Sequence, residues 1–235
     1  LHMLAAAREA GVKRFVYAGS SASYGDDSRE VKIEAEIGRA LSPYALGKQV
    51  DELYAGLYAR CYGLGCIGLR YFNVFGPRQD SEGTYASVIP GWIARMLRGE
   101  TVHINGDGQT TRDFCHVDNI VQANILAALV DDPAAVNQVY NVALGSTTTL
   151  NKLFAAIHTL LARRLPQLRA LRPVYRDFRP GDVRHSQADI GKAQELLGYV
   201  PTCSVEQGLS KAIDWYVARL ARRDARGIEP VAATL

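Results

Sequence analysis

Arg14-Phe15-Val16-Tyr17-Ala18 is a short apolar run that stops on the small residues Gly19-Ser20-Ser21, and further on Ser42-Pro43 opens a long helical stretch that runs to about Tyr62 and Gly63. A buried strand, then a helix, then a second apolar run at Ile67–Tyr71 is the pattern of an open α/β sheet. In such sheets ligands bind outside the carboxyl ends of the strands, where Ser20 and Ser21 stand. Serine is a favoured N-cap, and proline tolerates the first helical position because its missing N–H needs no partner there. Val88–Leu97 and Val117–Val130 read as further helices, the second with Asp118 in its first turn complementing the dipole. Thr101–Ile104 reads as a short strand and Val139–Ala143 as a last buried one. Beyond Gly145, helices are expected at Leu150–Leu161, Asp189–Leu197 and Val205–Arg222 around a Pro173-Val174-Tyr175 strand, with a polar tail from Arg222.

Tyr44 and Lys48 stand four apart and share one helical face. A free tyrosine titrates near pH ~10, too high for a base at neutral pH, and an adjacent fixed cation favours the phenolate. A serine hydroxyl from the neighbouring strand end would relay a proton to a sugar or alcohol oxygen. Tyr-x-x-x-Lys alone is a weak motif, since both residues are common on solvated helix faces. Its place after a strand ending in Gly19-Ser20-Ser21 gives it weight. Gly47 inside the helix costs about 1 kcal/mol relative to alanine and is read either as room for a close approach or as simple tolerance.

Five ordered segments carry a resemblance. They are Gly19-Ser20-Ser21-Ala22-Ser23-Tyr24-Gly25; Tyr44 with Lys48; Leu69-Arg70-Tyr71-Phe72-Asn73-Val74-Phe75-Gly76-Pro77-Arg78; Asn105-Gly106-Asp107-Gly108 with Arg112-Asp113-Phe114; and Arg179-Pro180-Gly181-Asp182-Val183-Arg184-His185-Ser186. From residue 1 to about 217 the chain resembles the extended short-chain dehydrogenases/reductases. Within them it is most similar to the NAD-dependent sugar-nucleotide epimerases and dehydratases, in particular the UDP-N-acetylglucosamine 4-epimerases of bacterial surface-polysaccharide synthesis. The fold this implies is the C-terminal portion of a Rossmann-like doubly wound parallel sheet plus a smaller mixed α/β substrate-binding domain. The first would cover residues 1–76, with a return at about 113–145; the second 77–112 and 146–222; and a tail 223–235.

The resemblance implies NAD as cofactor and assigns roles residue by residue. Tyr44 would be the acid/base, Lys48 would tune it and hold the nicotinamide ribose, and Ser21 or Ser20 would bridge to the substrate oxygen. Arg112 and Arg179 would hold the diphosphate, Asn73 would donate its amide there, and Asp182 would take a ribose hydroxyl. Val88 and Trp92 would wall the uracil, although Trp92 equally fits a core position, and Asn105 would also line the substrate site. Arg184 and Ser186 would face the sugar, where a small side chain at Ser186 leaves room for an N-acetyl group. Ser146-Thr147-Thr148 departs from the turn expected in such relatives. The dehydratases of the family it resembles carry an Asp-Glu pair after the strand end, where this chain has Ala22-Ser23. The resemblance therefore implies 4-epimerisation of a UDP-hexose, UDP-N-acetylglucosamine with UDP-N-acetylgalactosamine, through a 4-keto sugar. UDP-glucose and UDP-glucuronate remain alternative substrates, and a remnant that binds UDP-sugar or dimerises without turnover remains an alternative reading.

No Gly-rich phosphate turn follows an N-terminal strand; the chain opens on a helix that Gly11 would end. The resemblance implies a missing cofactor-gripping part, so the 235-residue chain alone is expected to be inactive and, with Arg14–Ala18 an unprotected apolar edge, poorly soluble. A net charge of +3 is too small to argue for nucleic acid. No eighteen-residue apolar run argues for a membrane span, and a cytoplasmic location is expected. Cys61, Cys66, Cys115 and Cys203 show no metal-ligand spacing, so no metal is expected and reduced, buried thiols are. The resemblance implies a homodimer through the Tyr44 helix and the one before it.

Overall fold

The structure is a computed structural model that describes residues 1–81, 87–179, 181 and 183–224. Three strands, Phe15–Ser20, Cys66–Tyr71 and Gln138–Val142, pair in parallel with Cys66–Tyr71 in the middle. Cys66 to Arg70 are all buried, the continuous burial expected of a parallel strand covered on both faces. One face carries the helices His2–Glu9 and Pro43–Tyr62, which pack Leu4, Ala7, Ala55 and Tyr58 against Leu64 and Cys66. The other carries the helices Val117–Leu129 and Gly191–Leu197, which close Ile120, Ala123, Ala193 and Leu197 over Ile67, Leu69 and Tyr140. Two covered faces make the doubly wound α/β arrangement. Among the described residues Phe15–Ser20 is at one end of this three-stranded sheet.

A second, smaller sheet completes this unit. Val31–Lys32, His185–Ala188 and Thr111–Arg112 run parallel, and Thr148–Thr149 pairs antiparallel to Thr111–Arg112. Arg112 and Ser186 are register partners in it.

The chain divides into two compact units. The first, described above, takes Leu1–Val74, Gln109–Thr149 and Pro180–Ser204; the second takes Phe75–Gly108, Leu150–Arg179 and the chain from Val205 onward. The sequence reading gave all of 146–222 to the second domain, whereas His185–Ala188 is bonded into the small sheet of the first. The second unit packs the helices Val88–Leu97, Leu150–Arg164 and Val205–Asp224 on apolar faces that include Ile93, Met96, Ile157, Leu161 and Ile213. A parallel pair, His103–Asn105 with Val174–Arg176, belongs to it. The expected tail lies outside the described residues except for the helix end at Asp224.

Helix limits follow local rules. The Ser42 hydroxyl accepts the Ala45 N–H at 3.1 Å, Pro43 fills the first helical position, and Gly63 ends the helix in the left-handed conformation (φ 68°). His116 caps the Val117–Leu129 helix, its ring accepting the Asp118 N–H at 3.2 Å. A Cβ at Gly47 would meet nothing of the described chain within 4 Å, so no close approach to the sheet requires this glycine. All four cysteines are free, and Cys61 is exposed rather than buried.

Candidate active site

The strand Phe15–Ser20 delivers Ser20 and Ser21 to the carboxyl end of the sheet, where the Ser20 hydroxyl accepts the Ala22 N–H at 3.1 Å and starts a 3-10 turn over Ser21–Tyr24. Beside them is a cavity of about 290 Å³ lined by Ser20, Ser21, Tyr24, Asn73, Arg112 and Ser186, with Ser42 of the helix cap also on its wall. The described first unit thus brings together five of the residues singled out in the sequence. They come from three places: the main sheet's strand end, the turn after Cys66–Tyr71, and the small sheet. Arg112 donates to the Thr111 carbonyl at 2.8 Å. Asn73 sits at φ 35°, a left-handed conformation that asparagine tolerates better than most side chains, and its amide donates to the Asp113 carbonyl at 2.9 Å. That bond faces the Asn73 amide toward the protein. Arg184 is exposed beside the cavity residue Val183.

Tyr44 is 60% exposed, in the first turn of the helix that Ser42 caps. Lys48 lies a further turn along. Its ammonium is 5.9 Å from the Tyr44 ring centroid, donates to the Ala18 carbonyl at 2.9 Å, and is 3.5 Å from Asp51. Lys48 is therefore tied to the strand that carries Ser20, and neither Tyr44 nor Lys48 is among the residues that line the cavity. Neighbouring tyrosines are chemically different. Burial pushes the Tyr24 phenol up to about 12, and it donates to Asn141 Oδ1 at 2.6 Å; burial also raises Tyr17 and Tyr71. Those phenols stay protonated at neutral pH. Of the four, only Tyr44 combines exposure with an adjacent cation.

Val88, Trp92, Asn105 and Arg179 belong to the second unit. Trp92 is 6% exposed and lies edge-on to Phe154, a core position, while Val88 is half-buried and Arg179 exposed. Asp182 lies outside the described residues.

Several supporting residues escape sequence reasoning. Asp113, fully buried, accepts the N–H groups of Leu144 and Gly145 at 3.0 Å and of Ala188 at 3.3 Å. It thereby ties the turn after Gln138–Val142 to the strand that carries Ser186, and it is not the local ion-pair partner that its place after Arg112 suggests. Lys32, also buried, spends its donors on the carbonyls of Asp27 and Arg29 while its stem lines the cavity. Folding also places ligand-type atoms of His116, Asp118 and Cys203 within 4.8 Å of one another, a grouping that cysteine spacing cannot reveal. There the His116 Nδ1 already accepts the Asp118 N–H.

A family model described as the NAD dependent epimerase/dehydratase family matches residues 1–143. A UDP-glucose 4-epimerase of Mycolicibacterium smegmatis is 35% identical over 212 residues, 90% of this chain and 64% of that protein. Among solved structures, a UDP-N-acetylglucosamine 4-epimerase from Methanobrevibacter ruminantium in complex with UDP-N-acetylmuramic acid is 38% identical with a TM-score of 0.85, covering 93% of this chain and 67% of that one. A UDP-glucose 4-epimerase from Thermotoga maritima with UDP-glucose is 40% identical with a TM-score of 0.82, covering 93% and 68%. The chain spans about two thirds of the length of these relatives.

Proposed function

The chain belongs to the NAD-dependent epimerase/dehydratase family, and on that premise we propose that it interconverts UDP-N-acetylglucosamine and UDP-N-acetylgalactosamine through a transient 4-keto sugar, with NAD as cofactor. The observation that carries this reading is the meeting of Ser20, Ser21, Asn73, Arg112 and Ser186 on one cavity at the head of the Tyr44–Lys48 helix.

Tyr44 accepts the C4 hydroxyl proton as the alcohol is oxidised and returns it on reduction, with a strand-end hydroxyl, Ser20 or Ser21, bridging phenol and sugar. Lys48 fits a nicotinamide ribose, because one of its donors is anchored on Ala18 and its ammonium stays beside the exposed Tyr44 ring. When bound, NAD supplies the hydride acceptor and donor. The Arg112 guanidinium is the diphosphate fork, with Asn73 beside it on the same cavity. Ser186, the register partner of Arg112, leaves the sugar wall small enough for an N-acetyl group. Ala22 and Ser23 offer no carboxylate for elimination, which favours oxidation and re-reduction over dehydration.

The working form is a homodimer through the Tyr44 helix. Leu46, Leu53 and Leu57 recur on one face of it and are exposed, as is Met3 on the helix before, although both helices are packed on the sheet by their other faces.

Proton NMR of the sugar anomeric signals, with NAD present and the chain joined to the cofactor-gripping part that the family resemblance implies, tests the reading. Appearance of UDP-N-acetylgalactosamine from UDP-N-acetylglucosamine, abolished in Tyr44→Phe, is expected. Conversion of UDP-glucose or UDP-glucuronate alone would overturn the sugar assignment, and conversion of none of the three would overturn the reaction.

A further inference from the structure

Tyr44, Lys48 and Glu52 are spaced four apart and share one helical face. Arg70 answers Glu52 from the middle strand with a two-pronged ion pair, Nε to Oε1 at 2.8 Å and a terminal nitrogen to Oε2 at 2.7 Å, and both side chains are largely buried. The third arm of Arg70 donates to the Glu34 carbonyl at 3.1 Å, and its guanidinium lies 4.8 Å from the Tyr24 ring centroid. Gly19, Arg70 and Asn141 form one row across the three strands, directly before the cavity-lining Ser20. A Cβ at Gly19 would stand 3.3 Å from Arg70 Cγ, so the glycine clears the path by which the arginine reaches the helix. Asn141 continues the row by accepting the Tyr24 hydroxyl and donating to the Lys32 and Asp189 carbonyls.

We infer that the Glu52–Arg70 pair is a positioning device: it fixes the rotation and depth of the Tyr44 helix against the sheet and, through the Tyr24 ring, one wall of the cavity. The inference rests on the function proposed above. The other two grips on this helix, Lys48 on Ala18 and Gln49 on the Ser23 and Gly38 carbonyls, hold main-chain oxygens near the strand end. Among the described residues, only Glu52 ties the helix to a side chain of the middle strand by a charged fork, which has one good geometry. A buried ion pair adds little net stability over an apolar contact, so its worth here is the placement it enforces.

Glu52→Gln keeps the shape and removes the charge; Arg70→Lys keeps the charge and removes the fork. In the NAD-loaded protein each variant is expected to lower kcat roughly tenfold to a hundredfold, the scale of a slight misplacement of reacting groups. KM for the UDP-sugar should stay within about twofold, because uniform binding rests on other strands. Independently of turnover, amide exchange should quicken in the peptide covering 43–52 and stay unchanged across Val117–Leu129. A folded variant with unchanged kcat, or exchange that quickens equally in both helices, would overturn the inference. If the wild-type protein turns over no UDP-sugar, the proposed function fails, and the exchange comparison alone decides whether the pair positions the helix.

Discussion

Asp113→Asn isolates the cost of holding a carboxylate inside this fold. Burial pushes the Asp113 carboxyl up to about 6, against the opposing pull of the N–H groups of Leu144, Ala188, Gly145 and Ser146. Its ordinary value is 3.8, so between about pH 4 and 6 the folded protein binds a proton that the unfolded chain has released. The sign follows directly: this group's contribution to stability is greatest below about pH 4 and falls as pH rises through 6. The difference of about two pKa units corresponds to about 3 kcal/mol at 1.36 kcal/mol per unit. Asparagine has the shape of the protonated acid and does not titrate. Urea unfolding of both proteins from pH 4.5 to 7.5 should therefore show the variant gaining on the wild type by about 2 kcal/mol, the part of that difference that falls above pH 4.5, whatever their offset at the acid end. Groups common to both proteins cancel in the difference. A flat difference, or a wild type that gains on the variant, would mean that the backbone N–H groups outweigh burial.

Two substitutions probe other parts of the account. Gly25→Ala, at φ 56° with a Cβ that would lie 1.9 Å from the Arg39 carbonyl oxygen, must displace the loop beside the cavity and should lower stability by about 1–3 kcal/mol in thermal or urea unfolding; an unchanged midpoint would refute the close approach. Leu53→Glu places a charge on the exposed stripe of the Tyr44 helix and should convert a dimer to a monomer by light scattering, with unchanged circular dichroism; a dimer that survives it would remove this face from the interface.

What the sequence made legible was local. Ser42, Pro43 and Gly63 obey capping rules that depend on their own backbone neighbours, and the helix they bound runs Pro43–Tyr62 as expected. The apolar runs around Phe15, Ile67 and Val139 became strands because continuous apolar stretches between breakers have few other uses in an α/β chain, although Phe15–Tyr17 are half-buried and Ala18 exposed rather than buried as expected. Partnerships across long separations were hidden. Arg112 and Ser186 lie side by side only because two short strands pair, and Asp113 meets Ala188 for the same reason. The Glu52–Arg70 pair was hidden in the same way, since nothing local to Glu52 names a partner on the middle strand. Trp92, which the sequence left open between a uracil wall and the core, is 6% exposed and lies edge-on to Phe154.

The most direct test of the central claim, that the cavity beside Arg112 and Ser186 is a UDP-sugar site, is isothermal titration of the 235-residue chain and its Arg112→Ala variant with UDP-N-acetylglucosamine. The account predicts saturable one-to-one binding that weakens about tenfold or more on losing the guanidinium, the scale of a charge-assisted hydrogen bond. Equal affinity in the two proteins, or no binding by the wild type, would contradict it.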